Sequence, residues 1–218
     1  MTIDAVIYDF GGVFMGSPFE AMRKLGDEKG VASEVTLDIM FGPYGDDTDH
    51  PWHRCERGEL DLITAREEIR LLAAAQGHEM DLFEMLKYIG SDGTVRDPMV
   101  DSVKRVRAAG LKTAILTNNI VEGRDFWRPM LPLDELFDVV VDSSEIGMRK
   151  PNPKIYLHTL ELLDGIAPER ALFLDDFEGN IRGAEAVGLL AVLVEQDPTS
   201  AIARIDELLA SVASEASE

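Results

Sequence analysis

Four short stretches of this 218-residue chain hold side chains able to do chemistry together. Asp9 closes the apolar run Ala5-Val6-Ile7-Tyr8 and leads into Phe10-Gly11-Gly12. Thr117-Asn118-Asn119 follows a second apolar run, 113–116, and Asp175-Asp176 follows another, 171–174. Arg149 and Lys150 come after the run 139–141 and just before Pro151. Singly, each has an ordinary use: Asp9 in a turn, Thr-Asn-Asn in a side-chain-capped loop, Lys150 on the surface, the Asp pair at a helix start. Together they point elsewhere. Three carboxylates converging in a partly buried crevice repel one another unless a cation sits between them. An oxygen-only donor set suits Mg²⁺, which takes one or two carboxylates plus a substrate phosphate. A hydroxyl, an amide and an ammonium are suitable donors for phosphate oxygens. The chemistry implied is phosphoryl transfer.

Convergence requires a scaffold. The apolar runs 5–8, 113–116, 139–141, 171–174 and 189–194 read as short buried strands. Helical patterns near 97–109, 153–163 and 180–187 precede the second, fourth and fifth runs, with Asn152-Pro153 as a start signal and Gly110 and Gly188 as stops. Strands alternating with helices predict an α/β fold, a Rossmann-like parallel five-stranded sheet covered on both faces. In such a sheet ligands bind beyond the carboxyl ends of the strands, which is where the polar residues fall. The first two strands are separated by about eighty residues that read as helices and loops, too long for an ordinary crossover. This predicts residues 1–16 and 96–218 as the core and 17–95 as an inserted all-helical domain. Ser17-Pro18-Phe19-Glu20 reads as a capping box opening its first helix. A helix from Asp61 through Leu62, Ile63, Ile69, Leu72 and Ala73 ends at Gly77. The last helix is expected near 200–209, followed by a frayed small-residue tail, 210–218.

A net charge of −20, spread as −9 over residues 17–95 and −11 over the remainder, argues against nucleic acid or an anionic membrane as partner. No aliphatic run exceeds six residues and no Lys or Arg precedes Arg23, so neither a spanning helix nor a signal segment is read. The single cysteine, Cys55, cannot form an internal disulfide, and a cytoplasmic setting is expected. Trp52 and Trp127 read as packing residues.

Tyr8-Asp9-Phe10-Gly11-Gly12-Val13, Leu116-Thr117-Asn118-Asn119, Gly147-Met148-Arg149-Lys150-Pro151 and Leu174-Asp175-Asp176-Phe177-Glu178-Gly179-Asn180 resemble, in order and spacing, the four motifs of the haloacid dehalogenase-like (HAD) superfamily. The chain looks most similar to the phosphatases resembling the N-terminal domain of soluble epoxide hydrolase. The resemblance implies that Asp9 is the nucleophile and forms an aspartyl-phosphate, that Lys150 offsets charge, and that Thr117 and the Asn118 amide hold the phosphoryl group. It implies Mg²⁺ bound by Asp9, the Gly11 carbonyl and Asp176, with Asp175 and Asn180 orienting metal-bound waters. It places a helical cap at 17–95 and a small phosphorylated metabolite as substrate.

One position departs from that pattern. Active phosphatases of the superfamily generally carry a second aspartate two residues after the nucleophile, to protonate the leaving group and later activate water; here it is Gly11. Three readings follow. The first is a phosphatase restricted to good leaving groups, or helped by an acid from Asp46, Asp47, Asp49, His50, His53 or Glu56. The second is a weak or inactive binding or regulatory protein. The third, dehalogenation, fits poorly with the paired Asp175 and Asp176, which oppose an anionic nucleophile in the absence of a cation.

Overall fold

The computed structural model describes residues 2–89 and 94–215. Five parallel strands, β1 (Ala5–Tyr8), β2 (Lys112–Thr117), β3 (Val139–Asp142), β4 (Ala171–Asp175) and β5 (Leu190–Leu193), form one sheet in the order β3-β2-β1-β4-β5. The expected strands are all present, offset by a residue or two at their ends. Ile7 pairs with Ala114 on one side and Phe173 on the other, so β1 is the centre of the sheet. Chain order runs outward from β1 in both directions, which makes the carboxyl ends of β1 and β4 a topological switch point.

Between β1 and β2 run α1 (Pro18–Lys29), α2 (Ser33–Phe41), α3 (Pro51–Glu56), α4 (Leu62–Ala75), α5 (Leu82–Leu86) and α6 (Asp97–Ala108). Single turns α7 (Arg124–Trp127), α8 (Leu133–Leu136) and α9 (Ser143–Ile146) flank β3. Then come α10 (Pro153–Leu162), α11 (Glu178–Ala186) and α12 (Thr199–Glu215).

Alternation along the strands sorts side chains between two apolar layers. Val6 and Tyr8 face α6 and α12 through Val103, Val106, Ile205 and Leu208. Ala5 and Ile7 face α10 and α11 through Ile155, Leu160 and Ala184. A third cluster belongs to α1 through α5, with Leu25, Ile39, Phe41, Trp52, Ile69 and Leu82 at its centre. The helical stretch after β1 thus has an apolar core of its own. The expected boundary near residue 95 adjoins residues 90–93, which lie outside the described residues.

Three local expectations need correction. On α4 the buried stripe is Ala65, Ile69 and Ala73, spaced by four, while Ile63 and Leu72 are exposed; two alanines let the helix approach its neighbours closely, and the larger side chains project elsewhere. The chain after Leu209 is not a frayed tail through its whole length: α12 continues to Glu215. Alanine-rich sequence with no Gly or Pro stop favours that continuation, and Val212 packs on the core. At the start of α1, Ser17 Oγ accepts from Phe19 N, but the Glu20 carboxylate pairs with Arg23 instead of completing a capping box.

Candidate functional site

The strand ends bring the motif residues together. Asp9 directly follows β1, Thr117 and Asp175 are the last residues of β2 and β4, and Asp176 follows β4. One carboxylate oxygen each from Asp9, Asp175 and Asp176 lies within 4.8 Å of the other two. Lys150, fully buried, sets its Nζ 2.9 Å from Asp9 Oδ1 and 2.6 Å from Asp175 Oδ2. One ammonium among three carboxylates leaves an excess of negative charge in a buried place. Burial raises Asp9 to about 8; Lys150 opposes the shift, while Asp175 and Asp176 reinforce it. Asp176 is raised to about 7, first by burial and then by Asp175. A site that disfavours its own ionised form in this way is suited to a cation.

The three aspartates differ in what engages them. Asp175 is well engaged: Lys150 Nζ, the Asn180 Nδ2, which lies 3.0 and 3.1 Å from its two oxygens, and the Phe177 backbone N–H at 2.8 Å all donate to it. Asp176 accepts from Ser17 Oγ at 2.5 Å and is paired with no lysine or arginine among the described residues. Asn180 Oδ1 is buried and receives no donor there. Asp9 and Asp176 are therefore the carboxylates freer to hold a cation, Asp175 positions Lys150, and the Asn180 oxygen could accept from a water on a bound ion. Gly12 is required by contact as well as by its φ of +69°: a Cβ there would lie 2.0 Å from Asp176 Oδ2.

Two roles were not visible in sequence. The Asn118 side chain is a strut, accepting from the Lys150 backbone N–H at 2.8 Å and donating to the Lys150 carbonyl at 3.0 Å, so the loop after β2 fixes the lysine's backbone. Ser17, read only as a helix cap, also reaches Asp176. Glycine at 12 and the short Ser17–Asp176 distance depend on a fold that joins residues 159 positions apart, a separation local pattern cannot encode.

Beside Gly11, Thr117 and Asn118 opens a cavity of about 310 Å³, walled by Phe10 and Trp127 from the sheet side and by Phe41, Tyr44 and Trp52 from the helices after β1. Of the six residues expected to offer an acid, Glu56 alone lines it. That carboxylate is already committed: Oε1 accepts from Tyr44 Oη at 2.7 Å and Trp52 Nε1 at 2.9 Å, and Oε2 from Arg149 Nε at 2.6 Å. Asp46, Asp47 and Asp49 are exposed, and Asp47 is paired with Arg57. Burial lowers His50 to about 4 and His53 to about 3, so both are neutral near pH 7; His50 is further occupied by Trp52 N and Ile39 O. The tryptophans are packing residues, as expected, and also form cavity wall. Cys55 is buried and raised to about 12, which suppresses its thiolate.

Comparison with known proteins agrees with this arrangement. The sequence pattern of haloacid dehalogenase-like hydrolases matches residues 3–188. The chain belongs to that family. It is 32% identical over 211 residues to mouse acyl-CoA dehydrogenase family member 10, and 27% identical over 149 residues to rat bifunctional epoxide hydrolase 2. These matches cover 94% and 66% of this chain but only 19% and 26% of those longer relatives. A Thermotoga maritima phosphorylated carbohydrates phosphatase is 26% identical, with 86% of this chain and 82% of the relative covered. Among solved structures, a HAD family enzyme of Bacteroides thetaiotaomicron, in complex with magnesium and inorganic phosphate, superimposes with a TM-score of 0.58 at 19% identity, covering 89% of this chain and 96% of that one. The fold of this HAD-like hydrolase is thus shared with a protein that binds both ligands. No helix among the described residues is long and apolar enough to cross a membrane.

Proposed function

We propose that this chain is a Mg²⁺-dependent phosphatase that cleaves a small phosphate monoester through an aspartyl-phosphate on Asp9. The observation that carries the reading is the cluster of Asp9, Asp175 and Asp176 with Lys150 held against two of them. Asp9 attacks phosphorus, the ester P–O bond breaks in line, and the leaving group departs with that electron pair. Water then hydrolyses the acyl phosphate, releasing inorganic phosphate and restoring Asp9. Thr117 and the Asn118 backbone N–H orient the phosphoryl oxygens, and Lys150 compensates their charge. Asp9, Asp176 and the Gly11 carbonyl would hold Mg²⁺, which supplies further compensation of phosphoryl charge when bound. The helices after β1, taken as residues 17–95, act as a cap over the strand ends and exclude water during transfer. With Gly11 at the acid position and Glu56 committed to three donors, the leaving group departs without strong protonation. The reading is therefore of an enzyme for esters with acidic leaving groups.

Its test is phosphate release, with and without Mg²⁺, across esters graded by leaving-group pKa. Turnover should fall steeply as that pKa rises and be abolished in Asp9→Asn. No release from any ester, with Mg²⁺ still bound, would overturn the phosphatase reading in favour of a binding or regulatory protein.

The metal reading has a pH signature. Folded pKa values of about 8 and about 7 for Asp9 and Asp176 lie above the ordinary carboxylate range. The metal-free fold thus gains stability from protonating them, in full below about pH 4, and loses it as pH rises through 8. Mg²⁺ needs the ionised carboxylates and displaces those protons. Stabilisation at a fixed Mg²⁺ concentration should grow between pH 6 and 8.5, reaching about 5–10 °C in Tm near 100-fold excess over Kd. A Tm shift independent of pH over that window would argue that the cation binds elsewhere.

A further inference from the structure

The cavity beside Gly11 identifies the kind of leaving group. Its floor is shared with the proposed phosphoryl site through Gly11, Thr117 and Asn118. Its walls carry six aromatic rings, Phe10, Phe41, Tyr44, Trp52, Phe126 and Trp127, with Phe41 stacked on Trp52 at 4.7 Å and Phe10 tilted on Trp127 at 4.9 Å. Among the described residues lining it there is no lysine, arginine or histidine. The charged residues among the described lining are Glu56, neutralised by Arg149, and Glu122, which accepts from the Leu62 N–H at 2.8 Å. A second phosphate or a carboxylate on the leaving group would find no counter-charge and would face Glu122. A polyol would find few free donors or acceptors, since Tyr44, Trp52 and Glu56 already satisfy one another.

An apolar cavity of about 150 Å³ suffices for benzene. About 310 Å³ accommodates a ring, its phosphoryl group and a compact substituent. We infer that the substrate is an uncharged aryl phosphate monoester, its ring packed between the sheet-side pair Phe10 and Trp127 and the opposing pair Phe41 and Trp52. This deepens the phosphatase reading and rests on it. The two arguments converge independently, because the cavity selects a flat apolar group and the absence of an acid at Gly11 selects an acidic alcohol, and a phenol is both.

The experiment compares acetyl, phenyl, 2-naphthyl and 4-carboxyphenyl phosphates and glucose 6-phosphate with Mg²⁺. In parallel, binding of phenylphosphonate and 4-carboxyphenylphosphonate is followed by tryptophan fluorescence, since Trp52 and Trp127 are in the wall. KM for 2-naphthyl phosphate is expected about tenfold below that for phenyl phosphate, the return on added apolar contact. KM for 4-carboxyphenyl phosphate should be about tenfold above phenyl, although the two phenols are of similar acidity, and phenylphosphonate should bind more tightly than its carboxylated analogue. Phe126→Lys, at an exposed ring of the wall, should reverse the order of the phenyl and carboxyphenyl esters. Equal or tighter use of the carboxylated or glucose esters would overturn the inference. Absence of turnover even with acetyl phosphate would overturn the phosphatase reading alone, and the phosphonate affinities would then decide the cavity's preference.

Discussion

Gly11→Asp is expected to raise kcat for alkyl phosphates by about 10² to 10⁴, the usual worth of general acid–base assistance, while changing aryl and acyl phosphates little. The backbone permits the substitution. Gly11 is not among the residues with positive φ, and a Cβ built on it meets nothing closer than Pro18 Cδ at 3.4 Å, an ordinary contact. Gly11 lies on the cavity floor with Thr117 and Asn118, so a carboxyl group there would reach the ester oxygen. Neighbouring Gly12 offers a useful contrast, because a Cβ at that position would collide with Asp176. The measurement is the slope of log kcat against leaving-group pKa in both proteins. It should be steep in the parent and shallow in the variant. A slope already shallow in the parent would mean that another group delivers the proton, with Glu56 the first to examine because it lines the same cavity.

Removing Glu56 should be the most destabilising single change near the site. Arg149 is fully buried; its Nε donates to Glu56 Oε2 at 2.6 Å, its Nη1 to the Asp46 carbonyl at 2.6 Å, and its guanidinium lies 4.7 Å from the Tyr44 ring centroid. Glu56→Ala strands that guanidinium and two further donors, Tyr44 Oη and Trp52 Nε1. The expected cost is about 3–5 kcal/mol, or roughly 6–20 °C in Tm for a chain of this size. The charge-neutral double variant Glu56→Met/Arg149→Met should recover much of the loss, since an apolar pair of similar volume avoids both desolvation penalties. Thermal unfolding of Glu56→Met, Arg149→Met and the double closes the cycle. Additive losses would show that the pair is not coupled. The same variants bear on chemistry, because Arg149 immediately precedes Lys150, and loss of its anchor across the helices should lower kcat more than it raises KM.

The sheet, its order of elements and the gathering of Asp9, Thr117, Lys150, Asp175 and Asp176 were legible because each is a local event: an apolar run, a turn and a polar residue at its end. The limits of local reading are equally specific. Ile63 and Leu72 fit a helical period yet point outward, because what α4 buries depends on neighbours supplied by α3, α2 and α5. Six acidic or imidazole groups were equivalent candidates in sequence, and tertiary contacts alone separate Glu56, in the cavity wall, from Asp46, Asp47 and Asp49 at the surface. Arg149 illustrates the same point. Its burial becomes evident once Glu56, 93 positions earlier, is placed opposite it.

The cavity draws its walls from two apolar clusters with separate memberships: Phe10 and Trp127 belong to the one beneath the sheet, Phe41 and Trp52 to the one among the helices that follow β1. Mutational drift therefore acts on the two halves unequally. Changes at Phe10 or Trp127 disturb the packing against β1, which leads directly into Asp9. The other half can exchange rings for other shapes at a cost borne by a core the strands do not share. The cavity can consequently be reshaped through one wall while the packing around β1 stays as it is.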